Sequence, residues 1–321
     1  MLRPPVHLSL WEAQSGEYLE ETLSFLQSVR QMCDHPKSDQ PRGIDLSSLQ
    51  SIDLGAALAL VAELDRWQRL RGIFLTPSTV RNWHPEVLSK LSSLGFFDLL
   101  KTDVSRICLK KTNKHWIQFT SGVLTDGYFA KKLKKALEAV MGNCGEEHFL
   151  PIYVPLVESM KNAIDHAYSD EDGIATFHHY GKRWWMAGAL DEVTETVDVA
   201  FLDLGLTVPV TIPKSSMWAR VKQDPTFSKL LHLDFGRTRA AMIYGISQTG
   251  EQQRGKGFND IVKPANLNPN NFVFVISGHA QCLLLDSDFC LGYDTKNRFA
   301  GTLIRWHINL RTAQSELGDT L

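Results

Sequence analysis

Apolar residues recur at helical spacing in some parts of the chain and alternate or run together in others. In the first 115 residues, helical spacing marks three segments, at 17–33, 55–70 and 84–96. Alternating or short continuous apolar runs mark three strands, at 5–11, 43–46 and 72–77. Short strands alternating with helices predict a small α/β layer structure for this half.

The second half shows helices first, then strands, then a long polar insertion and more strands. Helices are predicted at 127–141 and at 155–167, the latter opened by Pro155. Strands at 174–180 and 183–190 are predicted to form a hairpin. Further strands are predicted at 197–205, 271–278, 281–286 and 301–310. The insertion at 214–257 has a helix near 237–245 and few other core signals. This order predicts an α+β sandwich, one mixed sheet covered by helices on one face.

Length and composition add limits. A chain of 321 residues suggests two domains, which we place at 1–115 and 116–321. A net charge of -2 gives no general attraction to nucleic acid or to an anionic membrane. No apolar run is long enough to span a bilayer and the N-terminus lacks a signal-peptide core, so we expect a cytoplasmic protein. Five cysteines without a C-x-x-C pair predict free, mostly buried thiols.

The segment LVESMKNAIDHAY, residues 156–168, carries the first candidate chemistry. Glu158, Asn162 and Asp165 stand at i, i+4 and i+7, so a regular helix would place them on one face. An amide and two acids on one stripe suit a polar ligand. The alternative is the solvent-facing side of an ordinary amphipathic helix.

A second segment, VAFLDLGLTVPVTIP, delivers Asp203 at the end of an apolar strand, with Gly205 after it. A carboxylate there can accept a hydrogen bond from an exocyclic amine such as that of adenine. Glycine lets the backbone approach a flat base closely. The alternative is a simple strand-to-turn transition.

Two further segments are suggestive only in combination. In RGKGFNDIVKPAN, Gly255 and Gly257 flank Lys256 before a predicted helix, and backbone N–H groups with a lysine make a phosphate cradle. Flexible-loop glycines are the alternative. Gly301 and Thr302 open the last strand, where the threonine hydroxyl could reach a phosphate or an adenine-bound water.

In this order and at these spacings, the four segments resemble the GHKL superfamily over about residues 125–310. That superfamily groups gyrase-type ATPases, a heat-shock chaperone ATPase, histidine kinases and mismatch-repair ATPases, and its ATP-binding domain has the Bergerat fold. The resemblance implies ATP and Mg²⁺ as cofactors. It also implies a lid, here at about residues 214–257.

The resemblance assigns roles to individual residues. Glu158 would polarise the attacking water, and Asn162 would hold a Mg²⁺ that bridges the phosphates. Asp203 would be the adenine-binding acid. The ATP-binding set as a whole is Asn162, Asp165, Asp203, Gly205, Val208, Arg254, Gly255, Lys256, Gly257, Phe258 and Thr302.

One position departs from the family pattern. The family has D-x-G-x-G, whereas Thr207 stands at the second glycine here, followed by Val208 and Pro209 where the family has Ile-Pro. A β-branched residue is stiffer than glycine, so we expect a narrower nucleotide entrance. This bears on turnover more than on binding.

Residues 44–67, IDLSSLQSIDLGAALALVAELDRW, resemble a STAS domain, the fold of anti-sigma-factor antagonists. There a strand ends at an Asp-Ser pair, and the serine is phosphorylated by a partner GHKL-type kinase. Asp53 matches the aspartate, but Leu54 stands at the serine and has no hydroxyl. The phosphoswitch is therefore lost or replaced, and a generic α/β domain is the alternative.

The two resemblances together suggest a fused partner-switching pair, and three functions stay open. The first is an ATPase or ATP-dependent conformational switch acting on a protein partner. The second is a protein serine kinase of the anti-sigma type. The third is a non-catalytic nucleotide-binding regulatory or antitoxin-like subunit. Homodimer formation is also open, although no heptad pattern requires it.

Overall fold

The computed structural model describes residues 1–11, 17–34, 43–73, 75–77, 79–101, 114–125, 133–135, 138, 146–168, 182–247, 257–286 and 289–310. The strands are β1 (His7–Leu8), β2 (Ser51–Ile52), β3 (Lys114–Gly122), β4 (Trp184–Asp191), β5 (Thr196–Asp203), β6 (Phe272–Leu284) and β7 (Cys290–Asn309). The helices are α1 (Glu17–Asp34), α2 (Leu54–Arg71), α3 (Pro85–Ser93), α4 (Phe96–Leu99), α5 (Glu146–Asn162), α6 (Val208–Thr211), α7 (Trp218–Gln223), α8 (Pro225–Ser228), α9 (Asp234–Ser247) and α10 (Gly257–Val262).

A five-stranded sheet in the order β3-β4-β5-β7-β6 forms the centre of the molecule. The α+β class is confirmed. The expected mixed sheet is not observed, because every pairing among these five strands is antiparallel. The two strands expected at 271–278 and 281–286 are one strand, β6, whose register shifts near Gly278.

Helices cover both faces of this sheet, not one face as predicted. Side chains alternate along β5, so Val197, Val199 and Phe201 join a core with α5 and α10. The intervening Ala200 and Leu202 join a second core with α1 and α2. The N-terminal helices therefore supply the layer that the second half lacks on this side.

The N-terminal unit is fastened to the sheet by polar contacts as well as by this core. Glu20 on α1 accepts hydrogen bonds from the backbone N–H groups of Lys296 (2.6 Å) and Asn297 (3.0 Å) on β7. Gln27 donates to the carbonyl of Arg298 at 2.8 Å. Helix α1 thus packs alongside the first half of β7.

Asp53 organises the start of α2. One oxygen accepts the Ala56 N–H as an N-cap, and the other accepts Ser9 Oγ and the backbone N–H groups of Leu10 and Trp11. Leu54, at the position of the STAS serine, is buried in the core between α2 and the sheet. The position that a kinase would address in a STAS domain is therefore internal here.

The expected strand at 72–77 is wrong for the described residues of that range. Gly72 ends α2 in the left-handed conformation, with φ of 59°. The chain then folds back on α2, since the Ile73 N–H donates to the Gln68 carbonyl and the Leu75 N–H to Gln68 Oε1. Backbone groups bonded in this way are not available to a sheet.

Helix α5 begins at Glu146, so Pro155 lies inside it and does not open it. A π-helical turn, Ala163–Ala167, continues it. Of the predicted helix at 127–141, the described residues 133–135 and 138 are helical. The predicted hairpin involves 174–180, which lie outside the described residues, and β4 pairs with β3 and β5 on its two edges.

The segment after β5 has a core of its own, and Val221 and Phe227 belong to it although few core signals besides the helix near 237–245 were predicted at 214–257. Its helices bury Val208, Ile212, Val221, Phe227, Ala240 and Ala241 together. Cys33, Cys282 and Cys290 are free and buried, as predicted, whereas Cys108 and Cys144 lie outside the described residues. None of the helices in the described ranges has the length and apolarity to cross a membrane.

Candidate functional site

Three polar side chains form a row across neighbouring strands near the end of β5. Asp203 on β5 pairs with Thr302 on β7, and Thr302 pairs with Ser277 on β6. Directly paired residues point to the same face of a sheet, here the face that α5 covers. Their exposed fractions are 6%, 5% and 0%, so the row is buried. We call Asp203, Thr302 and Ser277 the polar row.

The buried Asp203 carboxyl has few hydrogen-bond partners and a raised pKa. Its Oδ1 accepts the Gly205 N–H at 2.9 Å, the one hydrogen bond to this carboxyl from the described residues. Burial, opposed by that hydrogen bond, raises the pKa of Asp203 to about 7. A buried acid with unused hydrogen-bonding capacity is expensive unless a ligand satisfies it, so it marks a candidate site.

Ser277 belongs to the site but was not predicted from the sequence. Its Oγ accepts the Val208 N–H at 2.9 Å and lies 2.8 Å from Thr302 Oγ1. The available signal was one hydroxyl residue on the inward side of the apolar run FVFVIS. That signal alone does not distinguish a site residue from a buried structural serine.

The turn after Asp203 is locked to the end of the α5 segment. The Leu206 N–H donates to the Ala167 carbonyl at 2.6 Å. A Cβ on Gly205 would lie 2.2 Å from that same carbonyl oxygen, so only glycine permits this approach. Tyr168 Oη accepts the Leu204 N–H at 2.9 Å and donates to the Arg183 carbonyl. The helix carrying Glu158 and Asn162 therefore ends against the polar row.

On α5 itself, the predicted residues differ in environment. The Glu158 side chain is 20% exposed and forms an ion pair with Lys161. The hydrogen bond to Glu158 raises the pKa of Lys161. Asn162 is half-buried at the end of α5. Asp165 is exposed and lies in the π turn, whose larger number of residues per turn shifts it away from its position in a regular helix.

The predicted phosphate loop is only partly described. Arg254, Gly255 and Lys256 lie outside the described residues. Gly257 begins α10, and Phe258 is half-buried against the cores on both sides of α9.

Thr207, which stands where the GHKL pattern has its second glycine, does not strain the backbone. Its φ of −81° and ψ of 153° suit any L residue, so glycine is not required here. The side chain is buried, and its Oγ1 accepts a long hydrogen bond from Arg298 at 3.5 Å. Val208 follows at the start of α6, where its N–H contacts Ser277 and not a ligand.

Two concavities in the described part lie away from the polar row. One, of about 30 Å³, lies among α1, α2 and β7 and is too small for a nucleotide. The other is an open depression of about 890 Å³ beside β1 and α1. The candidate site is therefore identified by its chemistry and not by a cavity.

Among the described residues, no group of three or more His, Cys, Asp or Glu side chains could hold a metal ion. A Mg²⁺ near Asn162 would thus depend on oxygens of a bound phosphate. Comparison with known proteins gave no matching family model, no matching curated protein and no matching solved structure. The functional argument rests on the residues themselves.

Proposed function

We propose that this chain binds Mg-ATP beside the polar row and works as an ATP-dependent conformational switch or ATPase that controls a protein partner. The observation that carries the proposal is the buried Asp203 carboxyl with unused hydrogen-bonding capacity. It lies next to Thr302 and against the end of the helix that bears Glu158 and Asn162. The GHKL and STAS resemblances support the same assignment.

In this proposal Asp203 accepts a hydrogen bond from the adenine amino group, and Thr302 contributes a second polar atom beside it. Asn162 would hold a Mg²⁺, which would supply positive charge to the phosphates. The nucleotide supplies the phosphoanhydride that can be cleaved. Gly205 and the Leu206–Ala167 hydrogen bond join the end of the α5 segment to the turn after Asp203, so a shift of α5 would move this turn beside the proposed base.

In this proposal Glu158 takes a proton from the attacking water, and its ion pair with Lys161 limits this role. The Lys161 ammonium donates to one Glu158 carboxylate oxygen and so occupies an acceptor that a water would otherwise use. This favours slow hydrolysis, which suits a switch whose state must last. A serine kinase remains the alternative, acting on another chain because Leu54 of this chain is buried and has no hydroxyl.

Calorimetric titration with Mg-ATP tests the binding. Asp203→Asn should weaken ATP affinity by about tenfold or more, because a charged hydrogen bond is lost. Asp191→Asn is the matched control: Asp191 also ends a strand and accepts the N–H two residues on, but lies at the opposite end of β4. Absence of ATP binding by the unmodified chain would refute the proposal.

Phosphate release and label transfer separate the three functions. Hydrolysis should be abolished in Glu158→Gln and accelerated severalfold in Lys161→Met, because loss of the Lys161 ion pair frees a Glu158 oxygen for water. Label that appears on a protein partner instead supports the kinase. ATP affinity without either product supports the non-catalytic regulatory subunit.

A further inference from the structure

Ser277 has more neighbours than a buried structural serine needs. Its Oγ lies 2.9 Å from the Val208 nitrogen, 2.8 Å from Thr302 Oγ1 and 3.3 Å from the Gly301 carbonyl oxygen. The Val208 N–H can only donate and the Gly301 carbonyl can only accept. A serine hydroxyl has one hydrogen and two lone pairs, so these neighbours limit its arrangement.

Two arrangements of hydrogens satisfy the geometry. In the first, Ser277 donates to Gly301 and accepts both the Val208 N–H and the Thr302 hydroxyl, which makes three hydrogen bonds. In the second, Ser277 donates to Thr302, which makes two and leaves the buried Thr302 hydrogen to find another acceptor. The first is favoured, because buried donors without partners are costly.

The first arrangement fixes what Thr302 can offer a ligand. With its hydrogen directed to Ser277, the Thr302 oxygen presents lone pairs only. The ionised Asp203 carboxylate beside it also presents lone pairs only. Two adjacent acceptors suit a group that carries two hydrogens, such as an exocyclic amino group, and disfavour a carbonyl oxygen.

We propose that Ser277 is a positioning residue that holds the Thr302 hydroxyl as an acceptor and thereby makes the site select a purine with a 6-amino group over one with a 6-carbonyl group. This inference rests on the proposed ATP binding. It goes beyond it, because it assigns the base preference to a residue that need not touch the nucleotide. A serine that only ties α6 to β7 would affect all nucleotides equally.

The test compares Mg-ATP with Mg-ITP, in which a carbonyl replaces the amino group. Affinities are measured at pH 8, where an acid with a pKa of about 7 is largely ionised. The unmodified protein should prefer ATP. In Ser277→Ala the Thr302 hydroxyl can turn to donate to a carbonyl, so the ATP-to-ITP preference should fall by about tenfold, roughly one hydrogen bond. N6-methyl-ATP, with one hydrogen fewer, should bind the unmodified protein more weakly than ATP.

Thr22→Val is the matched control, because Thr22 is equally buried and also accepts a backbone N–H, from Ser9, but lies in the N-terminal unit. Its nucleotide preference should be unchanged. If Ser277→Ala does not fold, Thr302→Val provides the second measurement and should lose the preference in the same way. An unchanged ratio in a folded Ser277→Ala or Thr302→Val protein overturns the inference while leaving ATP binding intact. Absence of ATP binding by the unmodified protein removes both proposals.

Discussion

Two adjacent rows of side chains cross the same three strands and face opposite sides of the sheet. The polar row is Asp203, Thr302 and Ser277. One residue away, Leu202, Leu303 and Ile276 form an apolar row in the same register. Helix α2 packs on the apolar row, and a Cβ on Gly55 would lie 3.6 Å from the Leu303 side chain.

The contrast separates a sheet surface that stabilises the fold from one that we propose binds a ligand. Burial of the apolar row stabilises the folded state, and its side chains carry no polar atoms that need hydrogen-bond partners. The polar row keeps a carboxyl buried without enough partners, which lowers stability at neutral pH. Functional sites commonly retain such a cost, so substitutions in the two rows should differ in how they change stability relative to nucleotide affinity.

Asp203→Asn should give the largest change and raise stability. Burial raises the pKa of Asp203 from its ordinary value of 3.8 to about 7 in the folded protein, so its contribution to stability is full below pH 4 and is lost as pH rises through 7. The neutral amide escapes a loss of up to about 4 kcal/mol at pH 8. Urea unfolding should show an advantage that shrinks from pH 8 to pH 5. An Asp203→Asn protein less stable than the unmodified protein at pH 8 would contradict the idea that the buried, ionised carboxylate lowers stability.

Leu303→Ala should lower the free energy of unfolding by about 3 kcal/mol, because it opens a cavity beneath α2. Affinity for ATP in the folded fraction should change little, since Leu303 faces away from the polar row. Urea titration and calorimetry on the same sample measure both. Loss of affinity larger than loss of stability would show that the two faces are not separable.

Thr302→Val, one residue along, should show the reverse. Valine keeps the shape but removes the hydroxyl, which costs about 1 kcal/mol of stability. ATP affinity should fall about tenfold. Thr302→Ser, which keeps the hydroxyl, should retain most of the affinity, and equal losses in both variants would point to packing and not to hydrogen bonding.

Gly55→Ala should give the smallest effect. An added Cβ meets Leu303 and Asp53 only at ordinary contact distances of 3.6 and 3.4 Å, and alanine favours a helix interior. We expect stability to be unchanged or higher by roughly 0.5 kcal/mol. A marked decrease in thermal stability would indicate that α2 approaches β7 more closely than these two distances allow.

Much of the fold followed from apolar periodicity. Helices α1 and α2 and strands β4 and β5 lie close to the predicted ranges because their patterns are long and uninterrupted. The segment at 72–77 failed because a strand-like run lost its backbone donors to Gln68, a local contact that periodicity does not report. The cover on the opposite face of the sheet was missed because α2 buries every residue from Leu54 to Trp67, charged ones included, which the sequence pattern does not reveal.

Local patterns selected some residues of the candidate site but could not show that they lie together. Asp203 and Thr302 were selected separately, and their pairing depends on the register of β5 with β7, which no local pattern fixes. Ser277 required the third strand and the turn at Val208. Asp165 was placed by a regular helical period that the π turn interrupts.

The shared core between α2 and the sheet has a consequence for how the chain can be divided. A fragment beginning near residue 116 would expose Trp185, Leu202, Phe274, Ile276 and Leu303 to water on one whole sheet face. We expect such a fragment to aggregate, and the intact chain to unfold in a single cooperative step. The N-terminal unit is therefore a structural half of the same body, and we expect any change at the sheet to reach it without its detaching.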